Sequence, residues 1–399
     1  KGADFDKRLV HRTYDSIPVQ PLYHPGNAGG LDPGWPGQPP FVRGAVAAGQ
    51  VAGGWDIRQL HAHPDPLEAN RQILEDLERG VTSIRLRLDS AAALGDAAPD
   101  GVMAYRLPEL EAALDGVRLD LAPVLDAGPR FAEGAALFLA LLDRGGEKPE
   151  TVVAALDADP LGAVVRGAAL DPATALRRAG EIAVHTAAEW PRLTSLLADG
   201  RPYHAAGASE AQELAAAVAT FVTYLRALER TGLGLEPACR QIRMALAADT
   251  DFFLTVAKLR AARRLWGEVL AAIGVDPARV PLRLDVETAP RMLARRDPWV
   301  NLLRTTVAAL AAGLGGADTI TVLPFDQPLG PPDAFARRVA RNIPLVAMEE
   351  SNVHRVVDPA GGSWCVERLT DELAQRAWAF LQELERAGVE QLHAAGRVV

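Results

Sequence analysis

The segment WDIRQLHAHPDPLEANRQILEDLERGVTSIRLRL, residues 55–88, contains two strand-like runs with one amphipathic helix between them. The runs Trp55–His61 and Thr82–Leu88 are short and carry large apolar residues. The intervening Pro66–Arg79 repeats such residues at helical spacing. Strands that follow one another through a helix lie parallel in one sheet. The segment therefore predicts a strand–helix–strand unit.

The same alternation continues through residues 55–330 and predicts a parallel sheet covered by helices. We predict strands at Trp55–His61, Thr82–Leu88, Val117–Val124, Thr151–Leu156, Leu193–Tyr203, Gln241–Leu246, Pro281–Val286 and Thr319–Leu323. We predict helices at Pro66–Arg79, Leu107–Leu114, Phe131–Arg144, Pro172–Trp190, Glu210–Glu229, Asp251–Ile273 and Pro298–Leu314. Units of this kind close into a (β/α)₈ barrel. A doubly wound open sheet is the alternative, although its GxGxxG fingerprint does not occur.

Two flanking regions complete the predicted α/β architecture, a TIM barrel at residues 55–380. Residues 1–54 are rich in Pro and Gly, lack periodicity and contain Tyr23, Trp35 and Phe41. Because a disordered tail would hold few aromatic residues, we interpret them as an extended N-terminal arm that contacts another subunit. A loop folded back on its own barrel is the alternative. A C-terminal helical extension follows the barrel, and residues 381–399 begin a linker.

The segment RNIPLVAMEESNVHRVVDPAGGSWCVERL, residues 341–369, predicts turn structure between two helices. We expect the helix Asp333–Arg341 to stop near Pro344, an extended segment to follow, and a last helix at Thr370–Arg386. Proline fixes φ and glycine permits positive φ, so Asp358–Ser363 predicts a tight, shaped loop. On composition alone this loop is a connector.

Composition excludes several classes of protein. The 399 residues carry 42 basic and 51 acidic side chains, a net charge of −9, which argues against nucleic-acid binding. Cys239 and Cys365 are too few and too far apart for a disulfide framework or a CxxC metal site. We find no signal peptide and no apolar run long enough for a membrane span. A cytoplasmic location is the default expectation.

Residues at the ends of the predicted strands are candidates for chemistry, because a barrel places its site there. Tyr203 and His204, at the end of the fifth strand, are the best acid–base pair by residue type. A buried, hydrogen-bonded histidine is the simpler interpretation. Asp89, Asp159 and Asp249 also follow strands, where capping and turn roles are favoured.

No motif predicts a metal site. His61 and His63 have the spacing of a chelating pair, but no third ligand follows and Pro64 ends the strand. The nucleophile elbow GxSxG and the helix motif HExxH are both absent. We therefore predict no metal ligands and no residues that bind a cofactor.

Several blocks of sequence occur in an order that one protein family shares. They are IPVQPLYHP (17–25), PFVRG (40–44), GGWDIRQL (53–60), EANRQILEDLERG (68–80), AGASEAQELA (206–215), YLRAL (224–228), DFFLTVAKLRAARRLW (251–266), DPWVNLLRTTVAALAAGLGGAD (297–318) and FARRVARNIPLVAMEESNVHRVVDPAGGSW (335–364). Together they resemble the methylmalonyl-CoA mutase family. The resemblance covers almost the whole chain and is weakest over residues 88–190.

The resemblance implies a (β/α)₈ barrel, which in catalytic members buries an acyl-CoA. A separate C-terminal domain of such members supplies adenosylcobalamin, whose cobalt–carbon bond breaks to start a carbon-skeleton rearrangement. The resemblance therefore also implies that residues 381–399 lead toward a cobalamin-type domain.

The sequence departs from catalytic members at several strand ends. Their RQY is replaced by Arg58-Gln59-Leu60, and their GYH aligns with residues 200–202, which read GRP. Tyr203 and His204 lie two positions late. The RTHxQTSGW motif becomes RLDVETAPR at residues 283–291, HTNALDE becomes VLPFDQ at residues 322–327, and LDS at residues 88–90 replaces FDLPTHRGYDSD. The cobalamin motif DxHxxG does not occur.

This pattern resembles the small, non-catalytic (beta) subunit of the heterodimeric enzyme. It implies a catalytically silent subunit of an isomerase that stabilises the catalytic large subunit. Adenosylcobalamin and the acyl-CoA would then be bound by that partner. The alternative is an acyl-CoA-binding or catalytic barrel that uses Tyr203 and His204 with a separate cobalamin-binding subunit. Apolar bulk at Leu60, Leu323 and Phe325 predicts a blocked barrel axis.

Overall fold

The computed structural model describes residues 5–27, 32–96 and 98–388. Within them, parallel strands paired in chain order form a closed barrel. The strands are β1 (Asp56–His61), β2 (Ser83–Arg87), β3 (Val124–Asp126), β4 (Ala154–Ala158), β5 (Leu193–Asp199), β6 (Ile242–Ala248), β7 (Leu284–Thr288) and β8 (Thr319–Thr321). Strand β8 pairs with β1, with Thr319 opposite Asp56, and this pairing closes the barrel. The predicted (β/α)₈ fold is confirmed and the open sheet is excluded.

One long helix follows each strand, and a further helix ends the described chain. They are α1 (Pro66–Glu78), α2 (Leu107–Leu114), α3 (Phe131–Gly145), α4 (Pro172–Glu189), α5 (Glu210–Arg230), α6 (Phe252–Ala272), α7 (Val300–Leu314), α8 (Ala334–Glu349) and α9 (Trp364–Ala387). Shorter helices lie at Phe5–Leu9, Ala91–Leu94, Pro160–Val165, Arg201–Ala205 and Leu235–Arg240, with 3₁₀ turns at Pro25–Asn27, Gly128–Arg130, Pro290–Met292, Gln327–Leu329 and Val353–Arg355. The arm contains a two-stranded pair, His11–Arg12 and Pro18–Val19.

Capping residues in the sequence start many of these helices. An Asp or Ser before the first turn accepts a hydrogen bond from a backbone N–H that the helix itself leaves free. This arrangement occurs at α1, α4, α5, α6, α8 and α9, with caps Asp65, Asp171, Ser209, Asp251, Asp333 and Ser363. The helix starts are therefore set by local sequence.

The main hydrophobic core lies between the strands and the ring of helices. In β2, Ile84 and Leu86 belong to this core. Ser83 and Arg85, on the opposite face of the strand, point into the barrel, where Arg85 contacts Glu287 of β7. The alternation of side chains along a strand thus separates an apolar outer layer from a polar interior.

Several predicted element boundaries were wrong; the last helix, for example, begins at Trp364 rather than Thr370. Strand β3 was expected at Val117–Val124, but Ala122 has φ of 49°, so the backbone becomes extended only after it. Strand β5 was expected to reach Tyr203, but it ends at Asp199. Pro202 then occupies the first turn of the helix Arg201–Ala205, a position where its missing N–H costs nothing.

The helix α8 continues through Pro344 to Glu349, so the predicted stop near Pro344 and the extended segment after it were wrong. Tertiary contacts account for the continuation. Met348 is buried beyond the proline and packs directly on Gly54, where a Cβ atom would overlap its sulfur. The apolar face of α8 beyond Pro344 is thus held against the chain that precedes β1.

A buried cluster of charged residues joins the arm to the C-terminal loop and helix; we call Arg43, Arg260, Asp358, Glu367 and Thr370 the anchor cluster. Asp358 accepts hydrogen bonds from Arg43 Nε at 2.9 Å and from Arg260 Nε at 3.0 Å. Arg260 also donates to Glu367 at 2.7 Å and to Thr370 at 3.0 Å. The loop that composition described as a connector is a fixed junction of three parts of the chain.

The described part of the arm is attached to its own barrel and also exposes aromatic residues. Ile17, Phe41 and Val42 are buried, whereas Tyr14 and Trp35 are exposed. The described part of the arm thus folds back on its own barrel, and its contact with another subunit stays a prediction. Residues 1–4 and 28–31 of the arm lie outside the described residues, as do residues 389–399 of the predicted linker.

Candidate functional site

The interior of the barrel is filled with charged side chains that face one another across the axis. Toward the amino-terminal ends of the strands lies the lower network, formed by Arg58, Arg243, Asp157 and Asp285. Toward the carboxyl-terminal ends lies the upper network, formed by Arg85, Asp126, Asp199, Arg201 and Glu287. A barrel interior usually contains layers of branched apolar residues, so this composition is the most distinctive feature of the site.

The lower network centres on Asp285 of β7. Its Oδ2 lies 2.8 Å from Arg58 Nη1 and 2.6 Å from Arg243 Nη1. Arg243 also contacts Asp157, whose backbone has φ of 40°. Burial favours the neutral acid, but Arg243 and Arg58 outweigh it and lower the pKa of Asp285 to about 2. Asp285 is therefore ionised and held between two guanidinium groups.

The upper network spans the barrel. Arg85 of β2 contacts Asp126 of β3 and Glu287 of β7, each at 2.7 Å. Arg201 contacts Glu287 at 3.2 Å and Asp199 at 2.7 Å. Burial opposes ionisation of Asp126, but Arg85 and further arginines hold the pKa of that carboxyl far below its usual value. Each carboxylate of the network is thus neutralised by arginine.

These networks place paired arginines and carboxylates across the barrel interior. The prediction of a blocked axis named apolar residues, whereas the side chains that contact one another across the interior are charged. Leu60 is only half-buried on the face of β1 that also carries Arg58. Leu323 is buried beyond β8, and Phe325 stacks on Trp299 at 5.0 Å, outside the barrel axis. The interior instead contains the buried charged residues of the two networks, none of which was predicted as a site residue.

A signal for these residues exists in the sequence. In residues 83–88, SIRLRL, every second position is polar within an otherwise apolar strand, and residues 284–287, LDVE, repeat the pattern. Since parallel barrel strands have apolar residues on the helix side, a charge at alternate positions marks the interior side. The pairing of those charges, however, joins residues far apart in sequence, such as Arg85 and Glu287.

The candidate pair Tyr203 and His204 lies in the short helix after β5 and is fully buried. His204 Nε2 is 3.4 Å from Asp249 Oδ2 without the alignment of a hydrogen bond. Burial, and then the charge of Asp159, raise the pKa of the Tyr203 phenol. The structure therefore packs the two side chains into the protein beside the barrel interior, and their catalytic role stays an untested prediction.

The strand-end carboxylates are engaged locally. Asp159 caps the helix Pro160–Val165 through the Gly162 N–H at 3.1 Å and accepts a hydrogen bond from the Tyr224 hydroxyl. Burial raises the pKa of Asp159 to about 7; Arg166, 3.9 Å away, opposes that shift and Asp199 adds to it. Asp89 accepts the Asp100 N–H at 3.0 Å in a turn. Asp159 is thus a titratable group at the barrel mouth.

The two histidines of the HxH spacing have separate surroundings. His61 is buried toward α1, with Nε2 3.8 Å from Asp76, and burial lowers its pKa to about 3. His63 Nδ1 accepts the N–H of Asp65 at 3.2 Å. Among the described residues, no group of three or more His, Cys, Asp or Glu side chains is arranged to hold a metal ion.

Comparison with known proteins identifies the family. A match to the family described as methylmalonyl-CoA mutase covers residues 12–394. The chain belongs to the methylmalonyl-CoA mutase family. Asp285 and Glu287 of the charged interior lie in residues 283–291, where the sequence departs from the RTHxQTSGW motif of catalytic members.

Relatives within the mutase family carry two kinds of name. The methylmalonyl-CoA mutase small subunit of Streptomyces virginiae is 51% identical over 97% of this chain and 60% of the relative. That of Propionibacterium freudenreichii subsp. shermanii is 38% identical over 97% of this chain and 58% of the relative. A protein named methylmalonyl-CoA mutase, from Escherichia coli K12, is 30% identical over 95% of this chain and 56% of the relative.

The chain spans about 60% of the length of the Streptomyces relative. The matched part of these mutase relatives is therefore the barrel with its arm and C-terminal helix. Across the described ranges, none of the helices is both long and apolar enough to cross a bilayer.

Proposed function

We propose that this chain is the non-catalytic small subunit of an adenosylcobalamin-dependent methylmalonyl-CoA mutase, and that it stabilises a catalytic large subunit. The complex would interconvert methylmalonyl-CoA and succinyl-CoA, with substrate and cofactor bound by the partner. We place it in the cytoplasm. The observation that carries the proposal is the barrel axis, which arginine–carboxylate pairs fill.

The interior supports a silent barrel for an energetic reason. An acyl-CoA threaded along the axis would have to displace Arg85 and Arg243, each of which is buried and bound to two carboxylates. Removing one partner of a buried ion pair costs about 3–5 kcal/mol. A ligand would meet that cost at several pairs, so binding along this axis is strongly disfavoured.

The residues at the barrel mouth do not fit adenosylcobalamin. Histidine is the side chain by which a protein would offer nitrogen to cobalt. His61 and His204 are fully buried and face other elements, and Nδ1 of the half-buried His63 already accepts the Asp65 N–H. At the mouth, Arg87 lies 3.4 Å from Asp126 and Arg166 lies 3.6 Å from Asp199. These contacts support placing the cofactor in the partner, and we derive no step through it.

The arm supports a role in subunit contact. Tyr14, Leu22 and Trp35 are exposed, at 96%, 75% and 71% of their surface. Large apolar side chains clustered on one segment are typical of surfaces that a partner covers. Because Phe41 and the anchor cluster fix the end of the arm on its own barrel, the exposed part is presented from a defined position.

Turnover by the separated subunits tests the proposal. The purified chain, given methylmalonyl-CoA and adenosylcobalamin, is expected to form no succinyl-CoA. A catalytic large subunit of the family is expected to form a stoichiometric complex with it and to lose activity more slowly on heating in that complex. The large subunit without this chain is the control. Turnover by this chain alone would contradict the proposal.

Binding measured by calorimetry gives a second test that does not depend on activity. Titration of the chain with methylmalonyl-CoA should release no binding heat under conditions where a catalytic large subunit gives a clear isotherm. Saturable binding to this chain would instead favour an acyl-CoA-binding barrel.

A further inference from the structure

The outer face of α7 carries an exposed apolar stripe. Leu303 is 69% exposed and Trp299, immediately before the helix, is 58% exposed, with Val307 also exposed one turn further along. These residues are spaced by four and therefore lie on one side of the helix. Isolated exposed apolar residues are common, but a contiguous row of them is typical of an interaction surface.

The stripe begins at an ordered aromatic cluster shared with α8. Trp299 stacks on the buried Phe325, with 5.0 Å between ring centroids. Phe335 makes an edge contact with Trp299, with 6.3 Å between their centroids. Phe335 and Val346 are exposed apolar residues of α8, with the exposed Arg338 and Asn342 between them along the helix. We call Trp299, Leu303, Val307, Phe335 and Val346 the α7–α8 face. Its aromatic part is held in place by stacking, so little side-chain freedom would be lost on binding.

Basic residues border this face. Arg295 and Arg296, in the loop before α7, and Arg338 on α8 are exposed, and none has an ion-pair partner among the described residues. Arg338 lies over the ring of Phe335, with its guanidinium carbon 5.3 Å from the ring centroid. Asp297 is the carboxylate of the same loop. On a chain of net charge −9, this border is locally basic.

We propose that the α7–α8 face is the docking surface for the larger subunit, whose complementary surface is apolar at its centre and acidic at its rim. Exposed aromatic residues in a fixed arrangement beside arginines have the composition of interface hot spots. The unpaired arginines would select an acidic partner surface and speed its association. This inference rests on the proposed function, because the partner is the mutase large subunit.

Affinity measurements on the complex test the inference. The full chain is mixed with a purified catalytic large subunit of the family, and the dissociation constant is measured by analytical ultracentrifugation. Leu303→Asp is expected to weaken binding at least tenfold, and Arg296→Glu to weaken it severalfold with a reduced dependence on salt. The matched controls are Val184→Asp and Arg178→Glu on α4, exposed residues outside the face, which are expected to bind like the unaltered chain.

The outcomes separate this inference from the proposed function. Leu303 is mostly exposed, so Leu303→Asp should retain its circular dichroism and melting temperature; loss of binding would then reflect the surface alone. If the unaltered chain binds and Leu303→Asp binds equally well, the docking inference is wrong and the subunit role stands. If the unaltered chain does not bind, the subunit role itself fails. A photo-crosslinker at position 303 that reacts within its own chain would also overturn the inference.

Discussion

The barrel interior and the anchor cluster are both built from buried arginines and carboxylates, but they lie in different kinds of sequence. Arg260 and Asp358 of the anchor cluster fall in blocks that match the mutase family. In the interior, Glu287 lies within a motif that has changed and Arg85 lies shortly before another, although Arg58 falls in a matching block. In the anchor cluster, charges join the arm, the loop and α9; in the interior, they fill space along the axis. Arginine–carboxylate pairs thus join separate parts of the chain in the anchor cluster, whereas in the barrel interior they occupy space.

The two regions also differ in how their charges are shared. Arg260 bonds Asp358, Glu367 and Thr370, whereas Arg43 bonds only Asp358, so most contacts of the junction depend on Arg260. In the lower network, Asp285 has two arginines, and loss of one leaves the other. We therefore expect the anchor cluster to be the more sensitive region. The following predictions test this difference, beginning with the largest effect.

Replacement of Arg260 by Leu should have the largest effect. It would leave Asp358 and Glu367 buried with fewer partners, and breaking a buried pair in this way costs about 3–5 kcal/mol. Urea denaturation measures the loss in free energy of unfolding, and limited proteolysis should detect release of the arm. The matched control is Arg177→Leu, whose exposed pair with Glu181 is worth less than about 1 kcal/mol. Equal effects of both changes would show that the anchor cluster is not a junction.

Replacement of Arg243 by Met should cost less than Arg260→Leu, toward the lower end of about 3–5 kcal/mol, because Asp285 keeps Arg58 while Asp157 loses its guanidinium. Urea denaturation again provides the measurement. No binding of methylmalonyl-CoA should appear, since the upper network still fills the axis. If Arg243→Met destabilises the chain more than Arg260→Leu, the barrel interior and not the anchor cluster is the more sensitive region.

Asp159 at the barrel mouth and Asp285 in the lower network should change the stability of the chain with pH in opposite directions. Its folded pKa, about 7, lies above its ordinary value of 3.8, so its stabilising contribution is complete below about pH 4 and is lost as pH rises through 7. Asp285 has the opposite sign, because its pKa of about 2 makes its contribution disappear as pH falls below 4. The stability of Asp159→Asn relative to the unaltered chain should therefore be greater at pH 8 than at pH 5, by on the order of 1–2 kcal/mol in the free energy of unfolding.

The melting temperatures of Asp159→Asn and the unaltered chain should be compared from pH 5 to pH 8. Asp171→Asn is a suitable control, since Asp171 caps an exposed helix start and its pKa is lowered, first of all by Thr174. A difference between Asp159→Asn and the unaltered chain that stays constant across this range would show that Asp159 does not titrate there.

The smallest effect is expected at Asp15 of the arm. Its carboxylate accepts hydrogen bonds from the Ser209 hydroxyl and from the Ala211 N–H, at the start of α5. Loss of a capping acceptor costs about 0.5–2 kcal/mol. Asp15→Ala should lie at the low end, because Ser209 still caps the helix. Hydrogen exchange of Asp15→Ala measures the effect. Faster exchange near residues 11–19 without a change at α9 would show that the Asp15 contact is independent of the anchor cluster.

Much of the scaffold could be predicted from the sequence. Strand and helix periodicity gave the closed barrel, and the order of the family blocks gave the mutase resemblance. The helix caps were readable because Asp and Ser act on their own backbone within a few residues. The errors at Ala122, Tyr203 and Pro344 arose where a backbone turn or a distant contact decided the local structure.

The sequence by itself determined the fold class, the family and the sites where catalytic motifs have changed. Only the tertiary structure decided what replaced them, because the partners Arg85 and Glu287 are 202 positions apart. Between Ala155 and Ala158, β4 has one residue more than the part of β5 it pairs with, and this irregularity changes which residues of β4 face inward. Strand periodicity is local, whereas charge pairing across a barrel depends on how all its strands are aligned. The pairing of charges in the interior is therefore a property of the assembled barrel.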